Sequence, residues 1–209
     1  GELRVLMHHL HELARRHWKS SDYTRESLRA ALRAVIMHFP VYRTYVGADI
    51  TPEDRRDIAW AVAHAARSWR APGREIFDFV ADAITGDLGR GDSKYPAKEA
   101  LHFARLFQQF TSPIMAKSME DTAFYRFHRL IALNEVGGDP RQFGLSLAAF
   151  HAQARERSRQ WPSGLLTTAT HDTKRGEDVR ARLLALPEIV RSWGHEVSVW
   201  AKLNERHKT

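Results

Sequence analysis

The stretch "TATHDTKRGEDVR", residues 168–180, ends a run of small and β-branched residues in His171-Asp172 and then turns strongly charged. If "GLLTTAT" (164–170) is a strand, His171 and Asp172 stand at its carboxyl end, where α/β enzymes place their chemistry. A carboxylate and an imidazole there can grip adjacent sugar hydroxyls, and the carboxylate favours a positively charged transition state. Lys174 and Arg175 add donors for further hydroxyls. A plain alternative is an aspartate that caps the following helix.

A second polar cluster is "MAKSMEDTAFYRFHRL", residues 115–130. On a helix starting near Ser118, Asp121 and Tyr125 are four residues apart and share a face, with Lys117 and Glu120 near its positive end. A structural ion-pair network is the competing reading. The loop "LNEVGGDPRQFG" follows, with Gly137-Gly138 permitting a tight turn and Asp139-Pro140 ending it. "FPVYRTYV", residues 39–46, reads first as a buried connector whose hydroxyls find backbone partners, and second as the wall of a carbohydrate or phosphate groove. In "HHLHE", His8, His11 and Glu12 have helical spacings that suit a divalent metal. They lie opposite a leucine stripe, so a solvated face is expected there and no metal.

The elements that must position these groups are nearly all helices. Leu3, Leu6, Leu10 and Leu13 form one apolar stripe. A second helix starts between Ser21 and Thr24, buries Leu28, Leu32, Val35 and Phe39, and stops at Pro40. Thr51 caps a third, with Pro52 in its first turn, Glu53 and Asp54 favouring its positive end, and Ile58, Val62 and Trp69 inward. After "APG", Ile76, Phe77, Val80 and Ile84 mark a shorter helix; residues 85–96 read as a loop. Pro96 opens a helix carrying Phe103, Leu106, Phe107 and Phe110. Further helices are expected at about 118–132, 146–160, 175–192 and 195–206. The text changes near "TSP" (111–113), from routine amphipathic helix to dense polar clusters, which suggests scaffold first and site second. A lone strand at 164–170 makes no sheet, so it is either irregular or paired outside this chain.

The totals narrow the classes. With 209 residues and 43% hydrophobic content the chain can bury a sizeable core, which argues against disorder. It has no cysteine, hence no disulfide framework or thiolate metal site. No apolar run reaches the roughly 18 residues that span a membrane, and a cytoplasmic protein without membrane partners is expected. The net charge of +7 raises the alternative of a basic helical nucleic-acid-binding or interaction domain. The basic residues are interleaved with acids along the chain, however, which fits a solvated helical exterior and no nucleic acid. No period of 20–50 residues recurs to suggest a solenoid.

Together "FPVYRTYV", "LFQQFTSPIMAKSMEDTAFYRFHRLIALNEVGGDPRQFG", "FHAQARER" and "LLTTATHDTKRGEDVRAR" resemble the maltooligosyltrehalose synthase family of the α-amylase superfamily. The resemblance runs over essentially the whole chain and is most specific at 107–182. It implies an isomerase (a glucosylmutase) of the retaining glycoside hydrolase type, acting in trehalose biosynthesis. Such an enzyme converts the reducing-end α-1,4 link of a maltooligosaccharide to an α,α-1,1 link on a (β/α)8 barrel, without a cofactor. By the same resemblance Asp172 is a catalytic carboxylate that stabilises the oxocarbenium-like state, and His171 bonds the same sugar. Lys174, with Arg175 beside it, contacts the glucose that is turned, and Asp121 and Tyr125 lie on that side of the cleft. The pathway partner would be maltooligosyltrehalose trehalohydrolase.

Some letters depart from the family. Lys117-Ser118-Met119 stands where Lys-Gly-Val is usual, and His128 replaces an Asn. The strand motif that bears the nucleophile and the one that bears the acid/base glutamate, which precede this region in the family, are absent. The chain therefore reads as an internal segment, opening on "GELRVL" without Met. Expected is a mainly α fold: a helical insertion subdomain over 1–112 and a late fragment of the (β/α)8 barrel over 113–209, with at most one or two short strands. The isolated chain is expected to be inactive, its partners being the maltooligosaccharide and the remainder of the barrel.

Overall fold

Helix α4 (Ile76–Thr85) buries Ile76, Phe77, Phe79, Val80, Ala83 and Ile84 on a broad face and leaves Asp78 and Asp82 exposed, so most of its surface must be covered by neighbouring helices. The structure is a computed structural model describing residues 1–71, 73–90 and 94–208. In it α4 packs against α2 (Arg25–Met37), α3 (Pro52–Ser68) and α5 (Ala97–Met115), while α1 (Glu2–Ala14) lies on α2 and α5. The buried faces are the ones the periodicity marks: Leu6, Leu10 and Leu13 from α1, Leu28, Leu32 and Val35 from α2, and Phe103 and Phe107 from α5. Val62, Trp69, Leu106 and Phe110 are only partly buried against them. Each fully buried large side chain contributes about 1.5–3 kcal/mol. Two edge-on aromatic contacts lock the packing, Phe39 on Phe107 at 5.2 Å and Trp69 on Phe77 at 5.2 Å.

Local chemistry sets the helix ends. Thr24 accepts from Ser27 N–H and Thr51 from Asp54 N–H, both at 3.1 Å, each satisfying a first-turn donor. Helix α4 stops at Gly86, whose φ of +75° is left-handed. A 3-10 turn, Asp87–Gly89, follows inside the expected loop. Asp87 ties that turn to α3 through Arg55, at 2.6 Å, and to Arg90, at 3.0 Å. Gly89 is there because the chain passes so close to α5 that a Cβ would lie 2.7 Å from the Ala97 Cα. Pro72 of "APG" and residues 91–93 of the expected 85–96 loop lie outside the described residues.

The chain divides into two compact units, Gly1–Ser118 and Met119–Thr209. The second holds α6 (Leu147–Gln160), α7 (Glu177–Ala185) and α8 (Val190–Leu203), and none of these three helices buries a residue. Ser146 caps α6 by accepting from Ala149 N–H. Trp193 and Trp200 meet edge-on at 5.4 Å on an otherwise uncovered apolar face of α8.

The chain is mainly α, as expected, but four elements differ from the sequence reading. Residues 118–132 form no continuous helix: a π-type turn at Ala116–Glu120 gives way to 3-10 turns at Ala123–Tyr125 and Ile131–Leu133. Asn134 is the reason, because its Nδ2 donates to the carbonyls of Phe124 and Phe127, which a helix would have needed. The expected helices 175–192 and 195–206 are divided elsewhere. Pro187 turns the chain through a 3-10 segment, Leu186–Ile189, and α8 then runs straight through Gly194. Residues 164–170 form no strand, since among the described residues nothing pairs with them, and Leu165 is 100% exposed.

Candidate functional site

One lysine of the second unit meets two carboxylates. Lys174 Nζ lies 3.0 Å from Glu120 Oε2 and 3.7 Å from Asp121 Oδ1. Glu120 is buried, and the lysine side chain is only 14% exposed. The hydrogen bond to Glu120 holds the ammonium above its ordinary pKa; burial opposes it, and the acidic groups of Glu120, Asp121 and Tyr125 add to it. Asp121, Tyr125 and Lys174 therefore share one neighbourhood. The helix expected to align Asp121 with Tyr125 is absent; Tyr125 ends a 3-10 turn, Ala123–Tyr125.

Two consecutive residues bring the segments together. Asn134 donates at 2.8 Å to both Phe124 O and Phe127 O, fixing the turn that carries Tyr125. Glu135 reaches the other segment. Its Oε1 accepts from Lys174 N–H at 2.8 Å and from Val136 N–H at 3.0 Å, and its Oε2 accepts from Arg175 N–H at 3.4 Å. Arg180 lies 3.9 Å from the same oxygen. Burial alone would raise the Glu135 pKa; the three N–H groups, with the Arg180 charge, outweigh it and hold the carboxyl below the ordinary glutamate range. Arg175 Nη1 donates to Asn134 O at 3.4 Å.

His171 and Asp172 stand outside this cluster. Their side chains are 91% and 66% exposed, with His171 Nε2 3.4 Å from Asp172 Oδ2. They sit in a tight turn in which Thr170 N–H donates to Thr173 Oγ1 at 2.6 Å and Asp172 N–H to Thr170 Oγ1 at 3.2 Å. Asp172 does not cap a helix: α7 begins at Glu177 behind Gly176, with no side-chain cap. The carboxylate is left facing outward on a turn whose next residues are anchored.

The other sequence candidates lie in the first unit. "FPVYRTYV" is largely the buried connector, with Phe39, Thr44 and Val46 inside. Gln108 clamps it by accepting from Val46 N–H at 2.8 Å and donating to Val46 O at 3.2 Å. Tyr45 and Arg43 point outward, the guanidinium 4.6 Å from the ring centroid. In "HHLHE", His8 is exposed, whereas His11 is partly buried beside Glu12 at 3.8 Å instead of facing water. Among the described residues no group of three His, Cys, Asp or Glu is placed to hold a metal ion, and no helix is long and apolar enough to cross a membrane.

The chain is 41% identical over 168 residues, 79% of its length, to a Mycobacterium tuberculosis protein named as a maltooligosyl trehalose synthase. The corresponding protein of a second strain matches equally. It is similar to a segment of maltooligosyl trehalose synthases. The chain spans 19% of the length of those curated relatives. Among solved structures, a maltooligosyl trehalose synthase of Sulfolobus tokodaii superposes with a TM-score of 0.58 at 26% identity, over 94% of this chain and 25% of that one. A structure titled DSM5389 glycosyltrehalose synthase gives 0.54 at 27% identity, over 97% of this chain and 23% of that one. No family model matches.

Sequence reasoning reached Asp121, Tyr125, Lys174 and Arg175, and placed Glu120 only at a helix start. It missed Asn134 and Glu135, which bind the site together. The available signal was weak: two polar residues between apolar neighbours, just ahead of Gly137-Gly138 in a loop.

Proposed function

We propose that this chain is a segment of an enzyme that converts the reducing-end α-1,4 link of a maltooligosaccharide into an α,α-1,1 link, leaving a trehalosyl end. Its class is that of an isomerase built on retaining glycoside hydrolase chemistry. Residues 1–112 form a helical insertion and 113–209 a late part of the barrel. The observation that carries the reading is the meeting of Lys174, two residues after Asp172 in the chain, with Asp121 and Tyr125, in a chain similar to maltooligosyl trehalose synthases.

In a retaining reaction a carboxylate attacks the anomeric carbon while an acid protonates the departing oxygen, the two carboxyls lying about 5 Å apart. Both belong to the remainder of the barrel. Asp172 supplies a third carboxylate, whose charge favours the oxocarbenium-like state, and His171 hydrogen-bonds the same ring. The released glucose must then turn in place, so that its anomeric hydroxyl attacks the glycosyl-enzyme before water does. Lys174, anchored by Glu120, offers a fixed ammonium for that sugar, flanked by Arg175, Asp121 and Tyr125. Helices α6–α8 bury no residue, which supports a remainder of the barrel packed against them. The product, closed at its reducing end, passes to a trehalohydrolase in the cytoplasm.

Maltopentaose incubated with the full-length protein tests this reading. The expected product is maltotriosyl trehalose, lost reducing ends being the readout. The 209-residue chain alone is expected to give none. Hydrolysis to maltose and glucose as the sole outcome with the full-length protein would overturn the reading.

A further inference from the structure

We propose that Glu135 is a positioning residue for the sugar-turning step, fixing the backbone of Lys174 and Arg175 so that their side chains meet the released glucose. The proposal rests on the function put forward above and assigns a part in it to a residue that touches no sugar.

Glu135 spans a long stretch of chain, bonding backbone N–H groups 39 and 40 residues away. Those two donors lie just ahead of α7, and Gly176, at its N-cap, has no side chain to serve the helix end. A surface glutamate that only paired with Arg180 would not need both oxygens turned towards peptide N–H groups. Here Oε1 takes two N–H bonds and Oε2 one, so the carboxylate is oriented as well as neutralised. Its neighbour Asn134 holds the Phe124 and Phe127 carbonyls, so one dipeptide sets the spacing between the Tyr125 turn and the Lys174 segment.

The consequence for Lys174 is mechanical. Its ammonium is held at the tip by Glu120 and Asp121, and its backbone at the root by Glu135. Held at both ends, it can exchange one carboxylate contact for a sugar hydroxyl without leaving its place. Freed at the root, it moves with its peptide, and misplacement of an orienting group by about 1 Å can cost a hundredfold in rate. The cost falls on the step that uses the turned sugar, because the nucleophile and the acid/base group lie elsewhere.

The test is Glu135→Gln in the full-length protein, with maltopentaose as substrate. The amide nitrogen of Gln replaces one of the two carboxylate oxygens and sets donor against donor there. The ratio of trehalosyl product to free glucose is expected to fall about tenfold, while the rate of first bond cleavage changes by less than about threefold. Glu135→Asp, which keeps the charge on a shorter arm, should recover part of the ratio. In a Lys174→Met background the Gln substitution should change the ratio less than it does in the wild-type background, because part of its effect passes through that lysine. A wild-type ratio in Glu135→Gln, or equal losses in cleavage and transfer, would overturn the assignment. If the Gln variant does not fold, the ratio in Glu135→Asp decides on the same terms. Absence of trehalosyl product from the wild-type protein would instead overturn the functional reading and this role with it.

Discussion

Gln108→Leu is nearly isosteric, yet it should unfold the first unit far more easily than its shape suggests. Gln108 is buried in α5, accepting from Val46 N–H at 2.8 Å and donating to Val46 O at 3.2 Å. Thr44 Oγ1, also buried, donates to the same Oε1 at 3.5 Å. Leucine can neither accept nor donate, so a buried peptide N–H and C=O lose these bonds together. Each buried group left unmade costs about 1–3 kcal/mol, and the added apolar contact returns about 1 kcal/mol. The net loss is about 1–5 kcal/mol, a large share of the roughly 5–15 kcal/mol that holds a domain folded. Urea unfolding of the 209-residue chain, followed by circular dichroism, measures it through the midpoint at unchanged slope. Amide exchange at Val46 should rise in the same variant. A midpoint shift worth less than about 0.5 kcal/mol would refute the reasoning and imply that water or a relaxed backbone replaces the clamp.

Two other substitutions probe the frame. Gly89→Ala puts a Cβ 2.7 Å from the Ala97 Cα and 3.1 Å from the Ala100 Cβ, and backbone cannot step aside cheaply; a loss of about 1–3 kcal/mol is expected in the same urea titration. Asp87 is held below the ordinary aspartate range, chiefly by its hydrogen bond to Arg55. Its folded pKa being depressed, its contribution is present above the unfolded value, about 4, and is lost as pH falls through the lower folded value. Asp87→Asn should therefore lower stability near neutrality, by less than about 1 kcal/mol given the exposure of Arg55, and flatten the acid limb of a urea-midpoint profile. An unchanged acid limb would contradict the pairing.

The first unit was largely legible because its signals are local and redundant. Thr24 and Thr51 cap where their letters suggest, and the leucine and phenylalanine stripes repeat at helical spacing. The second unit was less so, for reasons visible in particular residues. Asn134 breaks the helix expected at 118–132 by a contact 10 residues away, which no window of periodicity registers. Residues 164–170 have a strand's composition, but strand formation depends on a partner that the sequence of this segment does not contain. Gly194 falls in the gap between the helices expected at 175–192 and 195–206 and is carried within α8. At the site, Lys174 could be named from the charged run it belongs to, whereas Glu135 acts through backbone N–H groups 39 and 40 residues away and leaves almost no local trace.

The most direct test replaces Asp172 by asparagine in the full-length protein and measures turnover of maltopentaose to the trehalosyl product. Because the side chain is exposed on a turn, 66% open, the substitution should leave folding intact while removing the charge. Loss of one preorganised electrostatic group predicts a fall in turnover of about 10²–10³-fold, with substrate affinity little changed. Turnover within about threefold of wild type would mean that this carboxylate does not face the reacting sugar, and the proposed function of the segment would fail with it.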